Sequence, residues 1–148
     1  MLRLNKMLVG LGAALLLAAP VHAAEFEVQM LNSGEAGRMV FEPSFLQIAP
    51  GDTVTFKATD KGHNAEVIAG MLPEGAETFK GAMSQDVTVT FDVEGVYGIK
   101  CLPHYAMGMV ALIAVGENLT NLDDAKAVNQ PGMAKQRFDA AFAELDAE

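Results

Sequence analysis

The sequence predicts an all-β sandwich of two sheets that is followed by two C-terminal α-helices. Between about residues 25 and 116, apolar and polar residues alternate in short segments separated by glycine, proline, asparagine and aspartate. This alternation is typical of half-buried strands. Beyond residue 120 the apolar residues recur at helical spacing instead. About 125 residues remain once the N-terminal segment is set aside, which is the size of one ordinary domain.

The first 23 residues are predicted to be a secretory signal and not part of the domain. Arg3 and Lys6 precede an almost unbroken apolar run over residues 7–19, and residues 21–23 end in alanine. The run is shorter than the roughly 20 residues of a membrane span, although a retained anchor is the alternative. We therefore expect export to the periplasm, removal of residues 1–23, no membrane anchor and a single domain over residues 24–148.

Five strands are clearest, over residues 26–30, 54–58, 87–91, 97–101 and 109–115. Tyr97, Ile99 and Cys101 share one face of the fourth strand, so the cysteine side chain is expected to point towards the core. The fifth strand is apolar on both faces, which predicts burial on both sides. We expect antiparallel sheets over about residues 25–116. Residues 70–81 form the longest irregular segment, and we expect a short helical turn inside it.

The two helices are predicted over about residues 120–146. Thr120 or Asn121 can cap the first helix, with Asp123 and Asp124 in its first turn, where the helix dipole favours acids. Pro131 and Gly132 end it. The apolar positions of the second helix are Ala134, Phe138, Ala141, Phe142 and Leu145. We interpret this helix as structural cover for the sandwich.

Charge and cysteine content narrow the function classes. The chain has 10 basic and 19 acidic residues, and loss of Arg3 and Lys6 with the signal leaves 8 against 19, a net charge of −11. Nucleic-acid phosphates demand the opposite sign, so nucleic acid is not an expected partner. The single cysteine, Cys101, cannot form an internal disulfide in an oxidising compartment. Its thiol is therefore either buried and inert or bound to a metal.

Residues 101–109, with the sequence CLPHYAMGM, offer a soft metal a thiol, an imidazole and a thioether. Pro103 interrupts a regular strand ladder, so the chain can turn and bring His104 back towards the sulfur. Met109 is preferred to Met107 as the thioether because it begins a strand, which fixes its position. Thiolate, imidazole and a weak thioether are the ligands of a mononuclear copper site. The alternatives are ordinary ones: a buried apolar cysteine and a core methionine.

The other histidine of residues 24–148 is His63, in a Gly-His-Asn turn after the strand at residues 54–58. A turn histidine by itself is most simply solvent-exposed. Since the metal site needs a second imidazole, we expect His63 to be a ligand. The side-chain amide of Asn64 can tie this turn to the Cys101 segment and hold the two together. The alternative for Asn64 is a simple turn residue.

These motifs resemble those of the type 1 blue copper proteins, the cupredoxins, and are most similar to the pseudoazurins. The stretches that carry the resemblance are MVFEP at residues 39–43, PGDTVTF at 50–56, DKGHN at 60–64, PEGA at 73–76 and PHYAMGM at 103–109. Together with the two C-terminal helices, they cover nearly all of residues 24–148.

The resemblance implies a Greek-key, cupredoxin-like sandwich that holds one copper ion, Cu(II) or Cu(I). The implied ligands are His63, Cys101, His104 and Met109, although the related amicyanins use the shorter spacing, which Met107 would match. Leu102 departs from close relatives, which often carry a threonine there, but this removes no ligand.

The implied function is one-electron transport in the periplasm, in denitrification, without catalysis. A Cys/His hydrolase needs a base, an orienting third group and an oxyanion hole, and nothing obvious in the sequence supplies them. His104 is the expected exit for the electron, with Met39 and Pro103 in an apolar collar around it. The alternative for Met39 is core packing.

Lysines are the expected docking residues of an otherwise acidic, monomeric protein. The resemblance places Lys61, Lys80 and Lys100 near the copper end, with Lys57 close by. A basic ring there would steer encounter with an acidic partner. The implied partners are a copper nitrite reductase and, as others, cytochromes. The alternative is a set of scattered, solvated lysines.

Two other function classes stay open at this point. A periplasmic copper carrier or chaperone would hand over its metal without redox cycling, although such proteins tend to use more open sites rich in methionine and histidine. A structural or adhesive sandwich domain would leave the Cys101 segment without a role. The visible spectrum after addition of Cu(II) separates these classes.

Overall fold

Eight strands form two four-stranded sheets in the computed structural model, which describes residues 22–148. The strands are β1 Glu25–Gly34, β2 Gly37–Glu42, β3 Phe45–Ile48, β4 Asp52–Lys57, β5 Glu66–Val67, β6 Val87–Phe91, β7 Gly95–Lys100 and β8 Val110–Val115. A single turn of 3₁₀-helix, Leu102–His104, precedes β8, and the helices α1 Leu122–Ala127 and α2 Ala134–Asp146 follow it. The predicted signal lies outside the described residues, apart from residues 22 and 23.

Both sheets are mixed, so the expectation of antiparallel sheets was wrong in this respect. The first sheet has the order β2-β1-β4-β6, and β1 pairs with β4 in parallel. The second has the order β3-β8-β7-β5, and β3 pairs with β8 in parallel. The alternation of apolar residues determines which face of a strand is buried, but not which strand lies beside it or in which direction. Here the chain leaves the first sheet to form β3 and returns as β4 beside β1.

The burial of the strands follows the sequence pattern. In β4 the side chains of Asp52, Val54 and Phe56 are buried and alternate with partly exposed ones. All six residues of β8 are buried, because one face lies against the opposite sheet and the other packs against α2. The prediction of a strand buried on both faces is confirmed.

The two predicted C-terminal helices are present. α2 buries the five predicted apolar residues, Ala134, Phe138, Ala141, Phe142 and Leu145. α1 begins after Asn121, but the side chain of this residue does not cap the helix. Its amide instead accepts a hydrogen bond from Val96 N (2.9 Å) and donates one to Val96 O (2.8 Å), which ties the helix to β7. Among residues 22–148, neither helix has the length and hydropathy that a membrane span requires.

Residues 70–81 contain turns and no helical turn, so that expectation was wrong. The segment instead contacts two strands of the second sheet, β7 and β5. Gly98 N donates to Met71 O (2.9 Å), and Lys80 forms an isolated bridge with Glu66. These contacts satisfy main-chain groups that a helical turn would otherwise have paired internally.

The apolar core between the sheets extends to one end of the sandwich, and the predicted metal ligands lie there. Cys101 and Met109 are both fully buried in this core cluster. Cys101 directly follows β7 and Met109 directly precedes β8, and these two strands pair up to Lys100 and Val110. His63 lies in the connection between β4 and β5.

Candidate metal centre

Three donor atoms from two separate segments converge at this end of the molecule. Cys101 Sγ lies 3.7 Å from His63 Nδ1 and 3.6 Å from His104 Nδ1, and the two nitrogens are 3.0 Å apart. Metal–nitrogen and metal–sulfur bonds of about 2.0–2.3 Å place the donors of one shared ion about 3–4 Å from one another. The three side chains therefore fit a single soft metal ion.

The loop between β7 and β8 closes on itself through main-chain hydrogen bonds. His104 N donates to Cys101 O (3.2 Å), Met109 N donates to His104 O (3.1 Å), and Cys101 N donates to Met109 O (3.0 Å). Each of these three residues thus has its backbone fixed by the other two. The spacing of the side chains is set by this ring of contacts and not by the flexible chain between them.

The thiol of Cys101 is fully buried. Burial raises its pKa, while main-chain hydrogen bonds from Asn64 and His104 act in the opposite direction. Without a metal the sulfur is therefore protonated at neutral pH. A metal ion reverses this preference, because it binds the thiolate and releases the proton.

His63 is oriented by a residue that the sequence analysis missed. The His63 ring is fully buried, and its Nε2–H donates to Asn32 Oδ1 at 2.8 Å. With the proton on Nε2, the Nδ1 lone pair faces the sulfur and His104. Burial lowers the pKa of His63, and the neighbouring His104 lowers it further, which keeps the ring neutral. Asn32 lies on the same face of β1 as Val28 and Met30, although it is itself exposed, and that register was the available signal.

Asn64 joins the two ligand-bearing segments. Its Oδ1 accepts a hydrogen bond from Leu102 N (2.8 Å), and its Nδ2 donates to Glu66 Oε2 (2.9 Å) and to Gly81 O (3.3 Å). The Leu102 side chain takes no part in this, since only its main-chain N–H is used. The buried Glu66 is a second residue that the sequence analysis did not find.

The two candidate thioethers differ in their surroundings. Met109 is fully buried in the same core cluster as Cys101, whereas the Met107 side chain is 44% exposed. Met39 packs against that cluster and has a left-handed backbone with φ of 51°. His104 is partly exposed and Pro103 is exposed. Burial in the cluster of Cys101 favours Met109 over Met107 as the candidate thioether.

The four predicted docking lysines fall into two pairs. Lys61 and Lys80 are exposed, and neither forms an ion pair with any residue in the described part of the chain. Lys57 pairs with Asp86 at 2.7 Å. Lys100 lies 3.6 Å from Glu66 and 5.0 Å from the centre of the Tyr105 ring. The charge of this second pair is thus partly neutralised by neighbours.

Known proteins are similar to this chain in sequence and in fold. Residues 28–116 match the family described as "Copper binding proteins, plastocyanin/azurin family". A pseudoazurin of Paracoccus pantotrophus is 50% identical over 134 residues, which cover 90% of this chain and 92% of the relative.

Solved structures agree with this match. The crystal structure of pseudoazurin from Methylobacterium extorquens AM1 superposes with a TM-score of 0.80 at 50% identity, covering 82% of this chain and 98% of the other. Native pseudoazurin from Hyphomicrobium denitrificans gives a TM-score of 0.78 at 46% identity, covering 82% and 98%. The predicted cupredoxin fold is confirmed.

Proteins of this family carry electrons and are not enzymes. Their cofactor is one copper ion, with which the cluster of one thiol and two imidazoles is compatible. On its sequence, its fold and this donor set, the chain belongs to the plastocyanin/azurin family of copper-binding proteins and, within that family, to the pseudoazurins.

Proposed function

We propose that this protein is a periplasmic one-electron carrier whose copper ion is held by His63, Cys101, His104 and Met109. The observation that carries the proposal is the convergence of Cys101 Sγ with the Nδ1 atoms of His63 and His104, all within 3.7 Å of one another. When bound, copper supplies a one-electron couple between Cu(II) and Cu(I).

The protein's part is to keep its donor atoms in place in both valence states. His63 is fixed through its far nitrogen by Asn32, and the Asn64 amide locks the His63 turn to the Cys101 loop. The main-chain ring from Cys101 to Met109 fixes the remaining donors. Little rearrangement is then needed when an electron arrives or leaves, which favours rapid transfer.

His104 is the exit for the electron in this proposal. Of the four proposed ligands it alone is not buried. Large apolar side chains are exposed around it, since Leu102 (48%) and Met107 (44%) lie on its own loop. Met133, another exposed methionine, donates its main-chain N–H to Ala106 O of that loop at 3.0 Å. An exposed apolar surface around a ligand suits brief contact with a redox partner.

The test is addition of Cu(II) to the metal-free protein, followed by cycles of reduction and reoxidation. We expect an intense visible absorption that disappears on reduction and returns fully on oxidation, with zinc-loaded protein as the colourless control. A copper chaperone is the second candidate, and it would lose its metal quickly to a soluble chelator. Rapid loss of Cu(I) to the chelator, or absorption that does not return on oxidation, would contradict the carrier function.

For the partner, we propose a copper nitrite reductase, with cytochromes as others, and docking through Lys61 and Lys80. Lys61 is close to the centre in sequence, and Lys80 is connected to it through a strand contact. Lys61 lies two residues before His63. The main chain of Lys80 forms a β-bridge with Glu66, whose carboxylate accepts a hydrogen bond from Asn64. Positive charge here stands out against 19 acidic residues in the chain and would steer an acidic surface towards His104.

Lys80→Glu is expected to slow electron transfer to purified copper nitrite reductase by about 3- to 10-fold at low ionic strength, and by less as salt is added. The visible spectrum should not change, because Lys80 is not a ligand. Lys135→Glu is the matched control, since Lys135 is exposed on α2, was not predicted to be a docking residue, and pairs with Asp139. Equal rates for both variants at all salt concentrations would remove this face from the docking proposal.

We propose that residues 1–23 direct export and are then removed. Ala24 is held at the start of the domain: its N–H donates to the buried Asp52 Oδ1 at 2.8 Å, and its carbonyl accepts from Thr53 N at 2.9 Å. Cleavage before Ala24 would place the new terminal ammonium against that carboxylate. The intact mass of the exported protein tests this, and a mass that retains residues 1–23 would contradict it.

A further inference from the structure

Arg137, which lies on α2, makes an unusual set of contacts. Its Nη1 donates to Met39 O (2.7 Å) and to Gly108 O (2.9 Å), and its Nη2 donates to Arg38 O (3.0 Å). All three acceptors are main-chain carbonyls of segments far from α2 in sequence. Among residues 22–148 no carboxylate forms an ion pair with this guanidinium.

A partly buried guanidinium without a carboxylate partner costs free energy, because its charge is removed from water and not neutralised. We therefore look for a specific role of these contacts. The side chain is partly buried, and burial lowers the pKa of Arg137. The chain has 19 acidic residues that could have paired with it. Three convergent carbonyls instead use the planar, forked arrangement of guanidinium donors, which the single ammonium of a lysine cannot reproduce.

One of the three carbonyls belongs to the peptide unit that leads into Met109. Gly108 O is held by Arg137, and Met109 N, at the other end of the same peptide unit, donates to His104 O at 3.1 Å. Gly108 has a φ of +92°, and a Cβ there would lie 2.9 Å from Arg137 Cδ. The backbone thus approaches Arg137 so closely that only glycine fits.

A second carbonyl belongs to Met39, which lies on β2 in the opposite sheet. Its φ of 51° is unusual for a residue with a side chain, and the hydrogen bond from Arg137 holds this conformation. The Met39 side chain packs against the core cluster that contains Cys101 and Met109. One guanidinium therefore contacts the backbone at two methionines, Met39 on β2 and, through the Gly108 carbonyl, Met109 just before β8.

The start of α2 contacts the ligand loop at a further point. Met133 N donates to Ala106 O at 3.0 Å, and a Cβ on Gly132 would lie 2.3 Å from the same oxygen. Behind these contacts, the buried face of α2 packs against β8. The helix is thus a rigid support for residues 106–109, which is more than the structural cover that the sequence indicated.

We propose that Arg137 is a positioning residue of the metal centre, which sets the approach of Met109 to the metal by fixing the Gly108–Met109 peptide unit and the backbone of Met39. This rests on the proposed function, in which Met109 is a ligand. Since the thioether contact tunes the potential of such a site, the contacts of Arg137 contribute to the reduction potential from outside the ligand set.

The test compares Arg137→Lys, which keeps the charge, with Arg137→Met, which removes it. Both should shift the midpoint potential in the same direction and alter the visible and EPR spectra of the Cu(II) form. In the diamagnetic Cu(I) form, the Met109 amide hydrogen should exchange about tenfold faster. Lys135→Met, which removes a charge from the exposed face of α2, should change none of these.

Three outcomes would overturn the proposal. If both variants only unfold more easily, with parental potential and spectra, Arg137 is structural. If Arg137→Met shifts the potential and Arg137→Lys does not, the charge acts and the hydrogen bonds do not. Should neither variant fold, the parent protein decides: a Met109 amide that exchanges as fast as exposed loop amides contradicts the proposal. If the parent protein shows no copper–thiolate absorption after addition of Cu(II), the proposed function itself is contradicted.

Discussion

Cys101→Ser is expected to abolish the intense visible absorption of the copper-loaded protein and its electron transfer. The absorption arises from the copper–thiolate bond, and a serine hydroxyl at the same place stays protonated and does not bind copper comparably. The fold should survive, because Cys101 is a single small side chain in a core of sixteen buried residues. Visible and far-ultraviolet circular dichroism spectra recorded on one sample measure both effects.

Met107→Leu is the matched control for this substitution. Met107 is also on the ligand loop, but its side chain is 44% exposed, and the proposed ligand set does not include it. The blue absorption should therefore persist at full intensity. A Cys101→Ser protein that keeps the same absorption, or a Met107→Leu protein that loses it, would show that the ligand set is wrong.

Asn64→Ala is expected to lower the free energy of unfolding by about 2–4 kcal/mol. The Asn64 side chain is 2% exposed and makes three hydrogen bonds. Its removal leaves the partly buried Leu102 N–H and the buried Glu66 carboxylate without these hydrogen bonds, and a buried polar group that loses a partner is costly. Urea unfolding of the metal-free protein measures the loss without a contribution from the metal.

Asn118→Ala provides the comparison for Asn64, because Asn118 is exposed and its side chain makes no hydrogen bond within the described residues. It should change the unfolding free energy by less than about 0.5 kcal/mol. Copper uptake should also separate the two, since only the Asn64 change frees the His63 turn from the Cys101 loop. Equal stability of both variants would contradict the role of Asn64 as the tie between these segments.

Local pattern was enough for much of the fold. The apolar residues of α2 and the all-apolar β8 were predicted correctly because burial of one or both faces leaves a periodic trace in the sequence. The donor types and their loop spacing likewise identified the family, because copper chemistry allows few substitutes for a thiolate and imidazoles. Comparison with known proteins confirms the family and the cofactor. The four copper ligands and the docking lysines stay predictions.

Pairing between distant segments could not be read from that pattern. The sequence did not show that β1 and β4 are parallel neighbours, nor that Lys57 and Lys100 have acidic partners. Asparagines and lysines occur at many exposed positions, so their type alone indicates no contact.

Residue types alone indicate which atoms are able to bind a metal, because donor chemistry does not depend on how the chain folds. How those atoms are held depends on contacts between distant segments. Asn32 reaches His63 across 31 residues, and Arg137 reaches Met39 across 98. Contacts over such separations depend on the packing of two sheets and a helix, and no local periodicity encodes them.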